Sequence, residues 1–156
     1  MTTTPVRPHR GSYRGGDLMR STFDIKQRPP GELPPPEDGV KVGVIRRRAR
    51  QRLSDRGLAC VADEAVLIVS ELVTNAIVHS GGREITVILS LRASFLRIDV
   101  HDGVPSSHAH PRAPSDIAED GRGLALVQSL AEEGRGTWGV DDAGATTWCE
   151  LRLAAS

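Results

Sequence analysis

Three short patterns in this chain of 156 residues place polar groups where they could do chemistry. Glu71 and Asn75 are one helical turn apart in an apolar stretch, and such polar groups beside a buried face cost desolvation energy unless something there uses them. Asp102 and Gly103 follow a strand-like run, so an acid and a glycine come at a strand end. The Gly-Arg-Gly segment at 121–123 opens a helical pattern, where exposed backbone N–H groups favour an anion.

A helix predicted over residues 63–80 must position Glu71 and Asn75. At about 3.6 residues per turn, the apolar residues of this stretch share one broad stripe. The stripe consists of Ala62, Ala65, Ile68, Val69, Leu72, Val73 and Ala76. Glu71 and Asn75 lie on its flank, and the glycines at 81–82 predict the end of the helix. We therefore expect this helix to pack on the core and to carry both polar residues along its edge.

The remaining patterns indicate how the rest of the chain is built around that helix. Helical spacing predicts further helices over 37–56 and 124–133. Runs rich in β-branched and apolar residues predict strands at 84–91, 95–100, 137–140 and 146–153. These strands do not alternate with helices, which disfavours a Rossmann-type sheet. The predicted fold class is α+β, a two-layer sandwich with helices packed on one face of a mixed or antiparallel sheet.

Composition divides the chain into a tail over 1–38 and one domain over 39–154. Seven of the ten prolines lie in the tail, so we expect it to be largely disordered, with a short edge strand near 18–25. No apolar run approaches the roughly 20 residues needed to cross a bilayer, and the first residues lack the apolar core of a secretory signal. A cytoplasmic protein without membrane association is therefore expected.

The helix predicted over 37–56 carries a basic face. This face consists of Arg46, Arg47, Arg48, Arg50 and Arg52. Twenty basic and twenty acidic residues give the chain no net charge, which disfavours nucleic acid as the main partner. We interpret the run as a solvated face, with a basic partner-binding surface as the next interpretation and DNA binding as a weaker one.

In their order and separations, the three polar patterns resemble the gyrase and histidine-kinase ATPase superfamily (GHKL, the Bergerat fold). The likeness is closest to the small bacterial anti-sigma-factor serine/threonine kinases, and it runs from about Val40 to Leu153. SELVTNAIVH at 70–79 resembles the N box, HDG at 101–103 the G1 box and GRGLALV at 121–127 the G2 box. GATTWCEL at 144–151 is similar to the final strand of that family.

This resemblance implies an ATP site that uses Mg²⁺. Asn75 would bind Mg²⁺ through its side-chain oxygen, and Glu71 would act as the general base in phosphoryl transfer. Asp102 would accept a hydrogen bond from the adenine amino group, and Gly103 would let the backbone approach the base. Thr146 matches the threonine that supports the adenine site from the neighbouring strand.

The phosphates would be covered by the G2 box, whose binding residues by resemblance are Gly121, Arg122, Gly123 and Leu124. Residues 104–120 would form the ATP lid. Pro105 stands where the family has a second G1 glycine, and this difference stiffens the entry to the lid.

Two functions from different classes follow from the resemblance. The first is an ATP-dependent serine/threonine kinase that phosphorylates a small antagonist protein and controls a sigma factor, and relatives suggest a homodimer. The second is a module that binds ATP or sequesters a partner without kinase activity, which the altered G1 box favours.

Overall fold

The computed structural model describes residues 16–25, 35–79, 84–102, 128–129, 133, 135–141 and 145–153. Within these residues the chain forms two helices and five strands. They are β1 (Gly16–Asp24), α1 (Pro36–Asp55), α2 (Ala59–His79), β2 (Glu84–Arg92), β3 (Phe95–His101), β4 (Gly136–Asp141) and β5 (Thr146–Arg152).

The strands form one sheet in the order β1-β2-β3-β5-β4. Every neighbouring pair is antiparallel. The helix α2 packs over β2 and β3, whereas α1 packs against α2 and β1. The predicted α+β class is therefore confirmed, and the described sheet is antiparallel rather than mixed.

Alternation along the strands determines which side chains face the helices. Val87 pairs with Val100, and Leu89 pairs with Ile98, and all four are buried in the core that α2 also enters. Because successive strand residues point to opposite faces, the positions between them form the other face of the sheet. Each fully buried aliphatic side chain of this kind contributes roughly 1.5–3 kcal/mol, so the register of the sheet is strongly specified.

The apolar stripe predicted for the central helix is the face that α2 buries. Its residues from Ala62 to Val73 are all buried, and Ala76 packs against the core from a partly buried position. The helix begins at Ala59, four residues before the predicted start at 63. Gly57 separates α2 from α1 with a φ of +73°, a left-handed conformation in which L side chains are strained. This tight connection brings α2 back along α1.

A strand is present in the proline-rich N-terminal region, where the sequence indicates a short edge strand. β1 spans nine residues, pairs with β2 and buries Leu18 and Met19 in the core. Strand β1 therefore contributes to the hydrophobic core as well as to the edge of the sheet.

Most of the helix predicted over 124–133 lies outside the described residues. Residues 128–129 are helical, and the amide of Glu133 donates to the carbonyl of Ser129 at 3.1 Å. Among the described residues, neither helix combines the length and the apolar character needed to cross a bilayer.

Candidate functional site

The flank of α2 carries both polar residues of the predicted site. Glu71 and Asn75 are half-buried at positions one turn apart, whereas Leu72 and Val73 between them point into the core. The Glu71 carboxylate forms no hydrogen bond or ion pair with any other described residue. The helix therefore presents an acid that remains available to a ligand.

Asn75 differs from Glu71 because its polar atoms are fully buried. Both Oδ1 and Nδ2 are shielded from solvent, and neither has a hydrogen-bond partner within the described part of the chain. A buried amide without partners costs roughly 1–3 kcal/mol. An oxygen held in this way matches the hard ligands that Mg²⁺ prefers, so the residue fits the cation that the resemblance implies.

Asp102 directly follows β3, one of the two strands under α2. Its backbone amide donates to the carbonyl of Ala145 at 2.9 Å, which extends the pairing of β3 with β5 by one residue. Asp102 is two positions after the buried Val100, so alternation places it on the face of the sheet that α2 covers. The acid is half-buried there.

Thr146 lies on the other face of the sheet. It pairs with His101, and Thr146 Oγ1 and His101 Nδ1 share a hydrogen bond of 2.7 Å. Its neighbour Thr147 pairs with Val100 and is half-buried on the face that Asp102 shares. The register therefore brings Thr147, rather than Thr146, to the side of the sheet that carries the other site residues.

The remaining predicted site residues lie outside the described part of the chain. These are Gly103, Gly121, Arg122, Gly123 and Leu124, together with the predicted lid over 104–120. The described site thus consists of the α2 flank and the ends of β3 and β5.

An ion pair that the sequence did not reveal joins α2 to the segment before β4. Arg135 Nη2 donates to both carboxylate oxygens of Glu64, at 2.7 and 2.9 Å. The Arg135 carbonyl accepts the amide of Arg152 at 2.8 Å, so β5 is connected to the same point. Glu64 lies two turns before Glu71 on a similar side of α2, so the pair links the flank that carries Glu71 to the start of β4. No local pattern could reveal a contact between residues so far apart in sequence.

Taken together, these features define an α+β domain with polar residues on the flank of α2 and at the ends of β3 and β5. The sequence matches the histidine kinase-like ATPase domain over residues 35–148, and the chain belongs to this family. The match covers most of the chain and supports ATP binding. A comparison with curated proteins gave no match.

Proposed function

We propose that this protein is an ATP-binding regulatory serine/threonine kinase of the anti-sigma-factor type. It transfers the γ-phosphoryl group of Mg-ATP to a serine or threonine of an antagonist protein, and it controls a sigma factor. The observation that carries the proposal is the buried carboxamide of Asn75, which has no partner among the described residues and lies one turn from the available carboxylate of Glu71, in a histidine kinase-like ATPase domain.

Asn75 is the proposed ligand of Mg²⁺, through Oδ1. The burial of this side chain restricts its rotamers before any ligand arrives, which lowers the ordering cost of binding. When bound, Mg²⁺ would neutralise charge on the phosphates, and a hard cation that keeps several waters needs only one such protein ligand.

Glu71 is the proposed general base. Its half-buried carboxylate has no competing cation among the described residues, so it can accept the proton of an incoming hydroxyl. As the acceptor oxygen attacks the γ-phosphorus, the bond to the β–γ bridging oxygen breaks and ADP leaves. The acceptor's proton then resides on Glu71, and the phosphoryl group resides on the acceptor.

Asp102 is the proposed acceptor for the adenine amino group. Guanine presents a carbonyl oxygen at the equivalent position, so a carboxylate there selects adenine. Thr147 shares the face of Asp102, and we assign to it the supporting role that resemblance alone gives to Thr146. Gly103 would lie against the base, and the G2 residues 121–124 would cover the phosphates.

The test is phosphoryl transfer from γ-³²P-labelled ATP, with an extract of the protein's own cells as the source of acceptor. We expect a small protein to acquire phosphoserine or phosphothreonine. Replacement Glu71→Ala should abolish transfer and leave ATP binding in place, because it removes only the base.

A labelled acceptor that forms equally well with Glu71→Ala would contradict the role of the base. If ATP binds and no phosphoprotein forms with the unmodified protein, the kinase proposal fails. The chain would then be a binding module that uses ATP as a conformational ligand.

A further inference from the structure

A shallow groove runs between α1 and α2 on the outer side of the helix layer. We call it the basic groove, and it is lined by Gly43, Arg46, Arg47, Arg50 and Val66. The site described above uses none of these residues.

The arginines of α1 divide into two groups. Arg48 donates to Ser21 Oγ at 3.1 Å, and Arg52 donates to the carbonyl of Leu18 at 3.5 Å, so both side chains are directed towards β1. Arg46 and Arg47 have no acidic partner among the described residues. The basic groove therefore holds two arginines whose positive charge is not compensated locally.

Apolar side chains flank this charge. Val40 on α1 is 66% exposed and Leu67 on α2 is 45% exposed, and they are the exposed large hydrophobics of the described chain. An exposed ion pair of Arg50 with Asp63, at 2.8 Å, crosses between the two antiparallel helices. Val40 is about one turn before the lining residue Gly43 on α1. Leu67 directly follows the lining residue Val66 on α2, so both exposed side chains adjoin the groove.

Two glycines of α1 leave the groove open. Gly39 and Gly43 are one turn apart within the helix, where glycine is unfavourable relative to alanine. A Cβ at Gly39 would meet no atom within 4 Å, and one at Gly43 would meet only the Arg47 guanidinium, at 3.6 Å. The packing among the described residues therefore does not require either glycine, and the missing side chains leave space beside α1.

We propose that the basic groove docks an acidic amphipathic helix of a partner protein. Carboxylates of that helix pair with Arg46 and Arg47, while its apolar side chains cover Val40 and Leu67. The groove deepens the proposed function because Leu67 is one turn before Glu71, so a partner that covers Leu67 extends to within one helical turn of the proposed base. Only the identification of that partner as the regulated protein rests on the proposed function.

The surface fits a protein better than a nucleic acid. A phosphate backbone would gain nothing from Val40 and Leu67, and Arg50 is already paired with Asp63. The basic run that suggests a nucleic-acid face in the sequence is thus interrupted in the structure.

The experiment is a fluorescence-anisotropy titration of the full-length protein with a labelled helical peptide that has leucines on one face and glutamates along its flanks. The double variant R46E/R47E should weaken binding by about tenfold, because two attractions become repulsions. A peptide with lysines in place of the glutamates should bind this variant more tightly than it binds the unmodified protein. The charge-matched control R20E/R56E, outside the groove, should change affinity by less than about twofold.

Equal binding of the glutamate peptide to R46E/R47E and to the unmodified protein would overturn the proposal. Tighter binding of duplex DNA than of the peptide at the same salt concentration would also overturn it, in favour of a nucleic-acid surface. ATP affinity, measured in parallel, should be the same in all three proteins. If the protein does not bind ATP but the lysine peptide still binds R46E/R47E more tightly than the unmodified protein, the proposed function is wrong and the docking surface is still supported.

Discussion

Asn75 lies one helical turn after Glu71 on α2, and the two side chains have opposite surroundings. Both polar atoms of Asn75 are buried without partners among the described residues, whereas the half-buried Glu71 carboxylate is available to a ligand. A buried oxygen is suited to a fixed metal ligand, and an accessible carboxylate is suited to proton transfer. We therefore propose that the two positions have separate roles in ATP binding and phosphoryl transfer.

Replacement Asn75→Leu should affect stability and function in opposite directions. Leucine has a similar volume and removes a buried amide that has no partner in the described part of the chain, so the free energy of unfolding should rise by about 1 kcal/mol. Mg-dependent ATP binding should be lost, because the proposed metal ligand is gone. Urea denaturation and calorimetric titration measure the two effects. A variant that unfolds more easily than the unmodified protein would show that Asn75 is a structural residue.

The neighbouring threonines of β5 should respond differently to the loss of a hydroxyl. Thr147→Val should weaken ATP binding, because Thr147 shares the face of Asp102, and should leave stability nearly unchanged. Thr146→Val removes the hydrogen bond to His101 and should lower the free energy of unfolding by about 1 kcal/mol, with ATP affinity retained. The reverse result for ATP affinity would restore the role that resemblance gives to Thr146.

Two glycines in the helix layer should respond oppositely to alanine. Gly43→Ala should raise the free energy of unfolding by about 1 kcal/mol, since the position is helical and has space for a Cβ. Gly57→Ala should lower it by about 1 kcal/mol, because the φ of +73° is strained for alanine although space is also available there. A destabilised Gly43→Ala variant would mean that α1 needs this glycine for its own packing. Urea denaturation of the two variants measures both changes in the free energy of unfolding.

Arg97 is the charge centre of the sheet face opposite the helices. It pairs with Asp99 at 3.1 Å, Glu150 at 3.2 Å and Asp141 at 3.4 Å, and its guanidinium lies 4.5 Å from the ring centre of Trp148. Replacement Arg97→Met should cost about 2 kcal/mol, because it removes the cation that contacts the largely buried Asp99 and Glu150. Thermal unfolding measures the loss. An unchanged melting temperature would show that solvent compensates the carboxylates.

The pH dependence of stability should report Asp99. Burial raises the pKa of Asp99 above its ordinary value, and this effect outweighs the opposing charge of Arg97, whose own pKa is raised by its acidic neighbours despite burial. Because the pKa of Asp99 is higher in the folded state, the carboxyl contributes to the free energy of unfolding when it is protonated. This contribution is fully present at pH below the unfolded-state pKa and is lost as the pH rises through the folded-state pKa. Acidification from neutral pH should therefore stabilise the unmodified protein relative to Asp99→Asn. A constant difference between the two proteins across this range would contradict the shift.

The periodicity of α2 and the alternation of β2 and β3 are local properties, so the sequence predicts these elements and their buried faces well. The sheet register is not local. Thr146 and Thr147 are adjacent, and a choice between them depends on which residue of β5 pairs with Val100. The hydrogen bond between Glu64 and Arg135 joins residues 71 positions apart, so no local sequence pattern could predict it. The divided roles of the α1 arginines likewise depend on how α1 lies against β1.

Calorimetric titration of Mg-ATP and Mg-GTP into the unmodified protein and into Asp102→Ala tests the ATP pocket most directly. We expect saturable binding of ATP, with a clear preference over GTP. The variant Asp102→Ala should lose about 2 kcal/mol, or roughly thirtyfold, in ATP affinity and most of that preference. Absence of saturable ATP binding, or equal ATP binding by the two proteins, would rule out the proposed adenine site.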